Sequence, residues 1–137
     1  MIKLGQGESS EVVLARIVEP KATASDVKEF AHRMIDDHSR GWDKLEAIAK
    51  HEGVTLVGGM DAEHREFEAK LAKERTGEPY DRTYIDEMVM DHQKDAADLR
   101  DAIKEIDEPQ FKAWAEEALK TVEAHLAMAK EIRAKMR

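Results

Sequence analysis

Met34-Ile35-Asp36-Asp37-His38 and, 54 residues further on, Met88-Val89-Met90-Asp91-His92 are two versions of one phrase. Each continues through a basic residue (Arg40, Lys94) to a leucine (Leu45, Leu99), and Phe30 aligns with Tyr84 at the same offset. Around the first copy, Val27, Ala31, Met34, Leu45 and Ile48 fall on one helical stripe, with His38 and Gly41 filling two core-facing places. Around the second, Ile85, Met88, Leu99, Ile103 and Ile106 do the same, and His92 takes the vacant place. A helix stacks residues four apart on one face, so each phrase presents a thioether and an imidazole together.

Outward from these segments the chain reads as helices throughout. Their approximate spans are 8–19, 25–52, 61–76, 80–106 and 108–136. Pro20 ends the first, and Ser25 and Asp61 are good N-caps for the second and third. Gly53 and Gly77 follow helix ends, and Pro109 sits just inside the last helix. Phe67-Glu68-Ala69-Lys70-Leu71-Ala72-Lys73 also resembles Val122-Glu123-Ala124-His125-Leu126-Ala127-Met128. Residues 25–76 thus read as a duplicate of 80–136, two hairpins that would close into one all-α, antiparallel four-helix bundle. The first helix would be a short additional brace, and residues 1–137 a single domain.

Composition narrows the function. The net charge is −8, and the Lys/Arg residues are interleaved with acidic ones up to the short tail at 130–137, so the basic stripe of a nucleic-acid binder is missing. No apolar run is long enough for a transmembrane segment. The absence of cysteine removes thiolate catalysis, thiolate zinc sites and disulfides together. The opening Met-Ile-Lys-Leu-Gly-Gln-Gly carries no hydrophobic signal stretch, so the expectation is a cytoplasmic protein or one whose export signal has been removed. A homo-oligomer is compatible with everything above.

The histidines carry the chemistry. His38 and His92 lie near the midpoints of their helices, and His125 about 4.5 Å past the centre of the last, at 1.5 Å per residue. All three face inward and should meet at one level. Three buried imidazoles are costly without partners, and one shared cation satisfies them together. Imidazole suits zinc and copper, and thioethers favour Cu(I). The candidate ligands are therefore His38, His92 and His125, with Met34, Met88 and Met128 for copper and Asp37, Asp91 or Glu11 completing a zinc site. The competing reading is a polar layer without metal, in which carboxylates such as Asp37 and Asp91 hold the rings and set the bundle's register. His64 faces inward but starts its helix, on the order of 15 Å from the level of His38, and reads as an end-of-bundle residue. His32 and His51 fall on solvent-facing positions. A di-iron centre needs inward-facing Glu-x-x-His motifs; the one literal match, Glu29-Phe30-Ala31-His32, points outward. No nucleophile–base pair marks an enzyme, although three histidines with an open fourth position, and Tyr84 about two turns from His92, keep a hydrolytic or redox site as a third reading.

Taken together, Ser10-Glu11-Val12-Val13-Leu14, the run Val27–His38, Gly53-Val54-Thr55-Leu56, Tyr84-Ile85-Asp86, Asp91-His92-Gln93-Lys94 and Ala124-His125-Leu126 resemble the bacterial family called domain of unknown function 4142. The resemblance covers nearly the whole chain. It implies a ferritin-like bundle, usually periplasmic or envelope-associated, described as stress-related and without an established activity. The family's characteristic Glu, Asp-His, Tyr, His and His positions map onto Glu11, Asp37-His38, Tyr84, His92 and His125.

Overall fold

The computed structural model describes residues 1–136 and is all-helical among them. Its elements are α1 (Ile2–Val18), α2 (Ser25–His51), α3 (Ala62–Leu71), α4 (Glu78–Glu105) and α5 (Pro109–Lys135). α1 packs along α2, α4 along α5, and α2 along α5; α3 rests lightly against α1 and α4.

This differs from the expected pairing at two elements. α1 is no brace: it begins six residues earlier than the pattern predicts and is the long partner of α2. Gly5 and Gly7 disguise it, because glycine disfavours a helix by about 1 kcal/mol each. Tertiary packing overrides that cost. Gly5 is buried, and a Cβ there would stand 3.2 Å from both methyl groups of Leu56. α3, by contrast, is only ten residues long. Beyond Leu71 no buried apolar side chain remains to hold another turn, so the helix ends there rather than at Thr76. The apparent duplicate of α5 is therefore a short element in the connection between α2 and α4.

Two apolar clusters organise the interior. One contains Leu14, Val27, Phe30, Met34, Tyr84, Ile85, Met88 and Ala129. The other contains Leu45, Ala96, Leu99, Trp114, Ala115 and Val122. The order of these residues gives the helix directions: α2 and α4 run from the first cluster to the second, while α1 and α5 run back. Each long helix carries buried polar residues between its contributions to the two clusters. These are Glu8, Ser10 and Glu11 on α1, His38 on α2, His92 on α4 and His125 on α5. A polar layer therefore crosses a core that is otherwise apolar.

The ends of the helices are fixed by carboxylates. Asp61 caps α3 as expected, accepting from the His64 amide. Ser25 does not cap α2. Asp81, buried on α4, reaches across to accept from the Thr23 and Ala24 amides at 3.1 and 2.8 Å, satisfying backbone donors that a local cap would otherwise take. No described helix is long and apolar enough to cross a membrane.

Candidate metal centre

His38, His92 and His125 meet in the polar layer at 3%, 0% and 0% exposure. Their ring centroids are 5.0 Å (38–125), 5.5 Å (92–125) and 6.0 Å (38–92) apart. One ring nitrogen from each lies within 4.8 Å of the other two. Points so spaced share a centre no more than about 2.8 Å from each, within ~0.7 Å of a Zn–N bond of about 2.1 Å. Phe30 closes one side, edge-on to His92 and His125 at 6.4 and 6.3 Å.

Each ring is anchored through one nitrogen and bare at the other. His92 Nδ1 donates to the Met88 carbonyl at 2.9 Å, His125 Nε2 to Asp37 Oδ2 at 2.7 Å, and His38 Nδ1 to Glu8 Oε2 at 3.3 Å. The acceptors are oxygens, so these nitrogens carry protons. The remaining nitrogens, His38 Nε2, His92 Nε2 and His125 Nδ1, are buried and have no hydrogen-bond partner. An imidazole held by a carboxylate or carbonyl on one nitrogen and free on the other is the arrangement found behind metal-ligating histidines.

Electrostatics separates the three. Burial first, then the charges of His38 and His125, lower His92 to about 3. Burial and the His38 charge lower His125 to about 4, against the pull of Asp37. Burial would also lower His38, but the charge and hydrogen bond of Glu8 outweigh it and raise that ring above its ordinary value. Burial likewise works to raise Asp37, yet hydrogen bonds from His125 and Arg33 hold its carboxyl below the usual range.

Met34 and Met88 are fully buried in the first apolar cluster, and Met128 packs against it. Asp37 serves the centre from behind, as the acceptor for His125. Asp91 and Glu11 are gathered around His64: its Nε2 lies 3.1 Å from Glu11 Oε1 and 3.2 Å from Asp91 Oδ2. The expectation that His64 is an isolated end-of-bundle residue is thus corrected. Although burial opposes it, the hydrogen bonds His64 donates to Asp91 and Glu11, with their charges, raise it to about 12. Burial, then the Asp91 charge, holds the Glu11 carboxyl well above the carboxylate range, and burial does the same to the unpartnered Tyr84 hydroxyl. Glu29 and His32 are exposed, as their rotation about α2 requires. His51 is also exposed.

Glu8 went unread in the sequence, and Gly41 is the signal that marks it. A Cβ at Gly41 would overlap Glu8 Oε2, the oxygen that faces His38. Trp114 Nε1 donates to the Gly41 carbonyl at 2.9 Å, pinning that turn of α2. Gly41→Ala should displace the Glu8 carboxylate and leave His38 without its acceptor. The expected result is a His38 ring that titrates lower than in the parent with the helical circular dichroism unchanged, read from the pH titration of its NMR resonances.

Among known proteins, a family model described as "Domain of unknown function (DUF4142)" matches residues 1–132. No curated protein matches the chain, and no solved structure does.

Proposed function

The chain belongs to the DUF4142 family, and we propose that its three-histidine layer binds one transition-metal ion, copper or zinc, in a protein that holds or buffers the metal. One observation carries this reading: three buried imidazole nitrogens have no partner, each on a ring whose other nitrogen is already anchored. A layer serving only to set register would satisfy its nitrogens within the protein, since each orphan costs about 1–3 kcal/mol. A cation at their centre satisfies all three.

The donors decide the metal class. Imidazole nitrogen suits zinc and both oxidation states of copper. Met34 and Met88 lie within the apolar cluster, so the histidines, rather than thioethers, are the donors on which the proposal rests. We read the bundle as ferritin-like: four long helices, each antiparallel to the one it packs along, with α3 in the long connection between the parallel pair α2 and α4, support this. Family resemblance supports a periplasmic or envelope setting and a part in stress. The test is titration of the tag-free chain with zinc and with copper(I), expecting an ion at the three histidines that is lost when His38, His92 and His125 are all replaced by glutamine.

A further inference from the structure

We propose that Glu11, His64 and Asp91 form a second cation site, separate from the histidine centre and suited to a divalent ion of the manganese(II) or iron(II) class. It shares no ligand with that centre and stands or falls independently. The three side chains come from α1, α3 and α4, and one ligand atom of each lies within 4.8 Å of the others. His64 Nε2 stands 3.1 Å from Glu11 Oε1 and 3.2 Å from Asp91 Oδ2. Neighbouring ligands of an ion bonded at about 2.1 Å are roughly 3.0 Å apart in an octahedron and 3.4 Å in a tetrahedron, so Nε2 stands at coordination spacing from each oxygen, and an ion entering there takes the place of the proton that Nε2 shares with them.

Two further observations point to a ligand rather than to a closed ion pair. Glu11 is 2% exposed, and its second oxygen, Oε2, is buried with no hydrogen-bond partner. Burial and the Asp91 charge hold this carboxyl above the carboxylate range, and a cation at Oε2 would supply the charge that lets it ionise. His64 is also built like a ligand. Its Nδ1 lies 2.7 Å from Asp61 Oδ1, and that same oxygen accepts from the His64 amide as the N-cap of α3. The ring is therefore locked with Nε2 facing the two carboxylates, as a supporting carboxylate locks a metal-bound histidine.

Access and chemistry agree. Glu11, His64, Asp91 and Asp95 line a cavity of about 610 Å³, so an ion can reach the site, and Asp95 adds a further oxygen to its wall. Two carboxylates and one imidazole are too hard a set for copper(I). The imidazole disfavours calcium and magnesium, which take oxygen ligands. Manganese(II) and iron(II) fit between these limits.

Manganese(II) is the probe. Titrated into the full chain carrying His125→Gln, which disables the histidine centre, it should lose its free-ion electron paramagnetic resonance signal at one equivalent. Glu11→Gln and Asp91→Asn, both close in shape to the parent residues, should each weaken binding at least tenfold. Manganese that stays free beside millimolar protein would overturn the proposal, as would binding that survives both substitutions. The parent chain gives a readout that needs no variant. Bound manganese should broaden the His64 ring resonances ahead of those of exposed His51; broadening at His51 first, or at neither, would also overturn it.

Discussion

Saturating zinc should raise the melting temperature of the parent chain by more than about 10 °C, and His92→Leu should abolish the rise. An ion that binds only the folded state stabilises it by about 4 kcal/mol at a thousand times its dissociation constant. For a chain of this size each kcal/mol moves the midpoint by roughly 3–5 °C. The ion has little else to bind in the unfolded chain, which contains no cysteine. His92 is the sharpest position to change. It is fully buried, its Nε2 is unpartnered, and its other nitrogen donates only to a carbonyl one turn back on its own helix. Leucine has a similar volume and brings no polar atom needing a partner. The metal-free variant should therefore melt at or above the metal-free parent, because an orphaned buried nitrogen is removed. A variant that loses both its metal response and its intrinsic stability would show that His92 serves the fold. Differential scanning calorimetry with and without zinc separates the outcomes.

The second large effect is in the proton count. At pH 6 zinc binding should release about one proton, where three ordinary imidazoles near 6.5 would release more than two. His92 at about 3 and His125 at about 4 are already neutral at that pH. His38 is raised above its ordinary value, chiefly by Glu8 acting against burial, and holds its proton there. Its Nε2 must lose that proton before it can bind a metal. Affinity should therefore fall about tenfold for each pH unit below the His38 pKa, or about 1.4 kcal/mol. Steeper losses begin only as the pH approaches 4, when His125 and then His92 take up protons. Calorimetric titrations in two buffers of different ionisation enthalpy give the count directly. A release near three protons, or a thousandfold loss per unit between pH 5 and 6, would contradict the assignment of His38 as the one charged ring.

How far the sequence could be read follows from what runs along a helix and what does not. The rise per residue is fixed, so the shared level of His38, His92 and His125 was legible from their places in three long periodic segments. The outward rotation of Glu29 and His32 was legible for the same reason. The role of Asp37 was visible as a carboxylate able to hold a ring from a neighbouring helix, and that ring is His125.

What escaped depends on α1 and on the path between α2 and α4. Gly5 and Gly7 hid residues 2–7 of α1, because the packing of Gly5 against Leu56 is invisible to local propensity, and Glu8, at the very start of the expected helix, gave no sign of facing the core. Gly41 looked like a gap in a core stripe and is room for the Glu8 carboxylate. His64 was placed at one end by counting along an assumed α2–α3 hairpin. The connection instead carries α3 against α1 and α4, and brings its first turn beside Glu11 and Asp91. The repeat itself misled here. The likeness of Phe67–Lys73 to Val122–Met128 is real in letters, yet α3 stops at Leu71 while α5 continues to Lys135.

Three bare nitrogens sharing one ion make a definite stoichiometry at the histidines. The tag-free chain carrying Glu11→Gln, so that the acidic cluster is disabled, is titrated with zinc and with copper(I) against a chromogenic chelator, alongside the same chain with His38, His92 and His125 all replaced by glutamine. One ion per chain should bind more tightly than micromolar, and the triple variant should lose at least about a hundredfold in affinity while its helical signal persists. A parent that binds neither metal more tightly than micromolar, or a triple variant that binds as well as the parent, would contradict this.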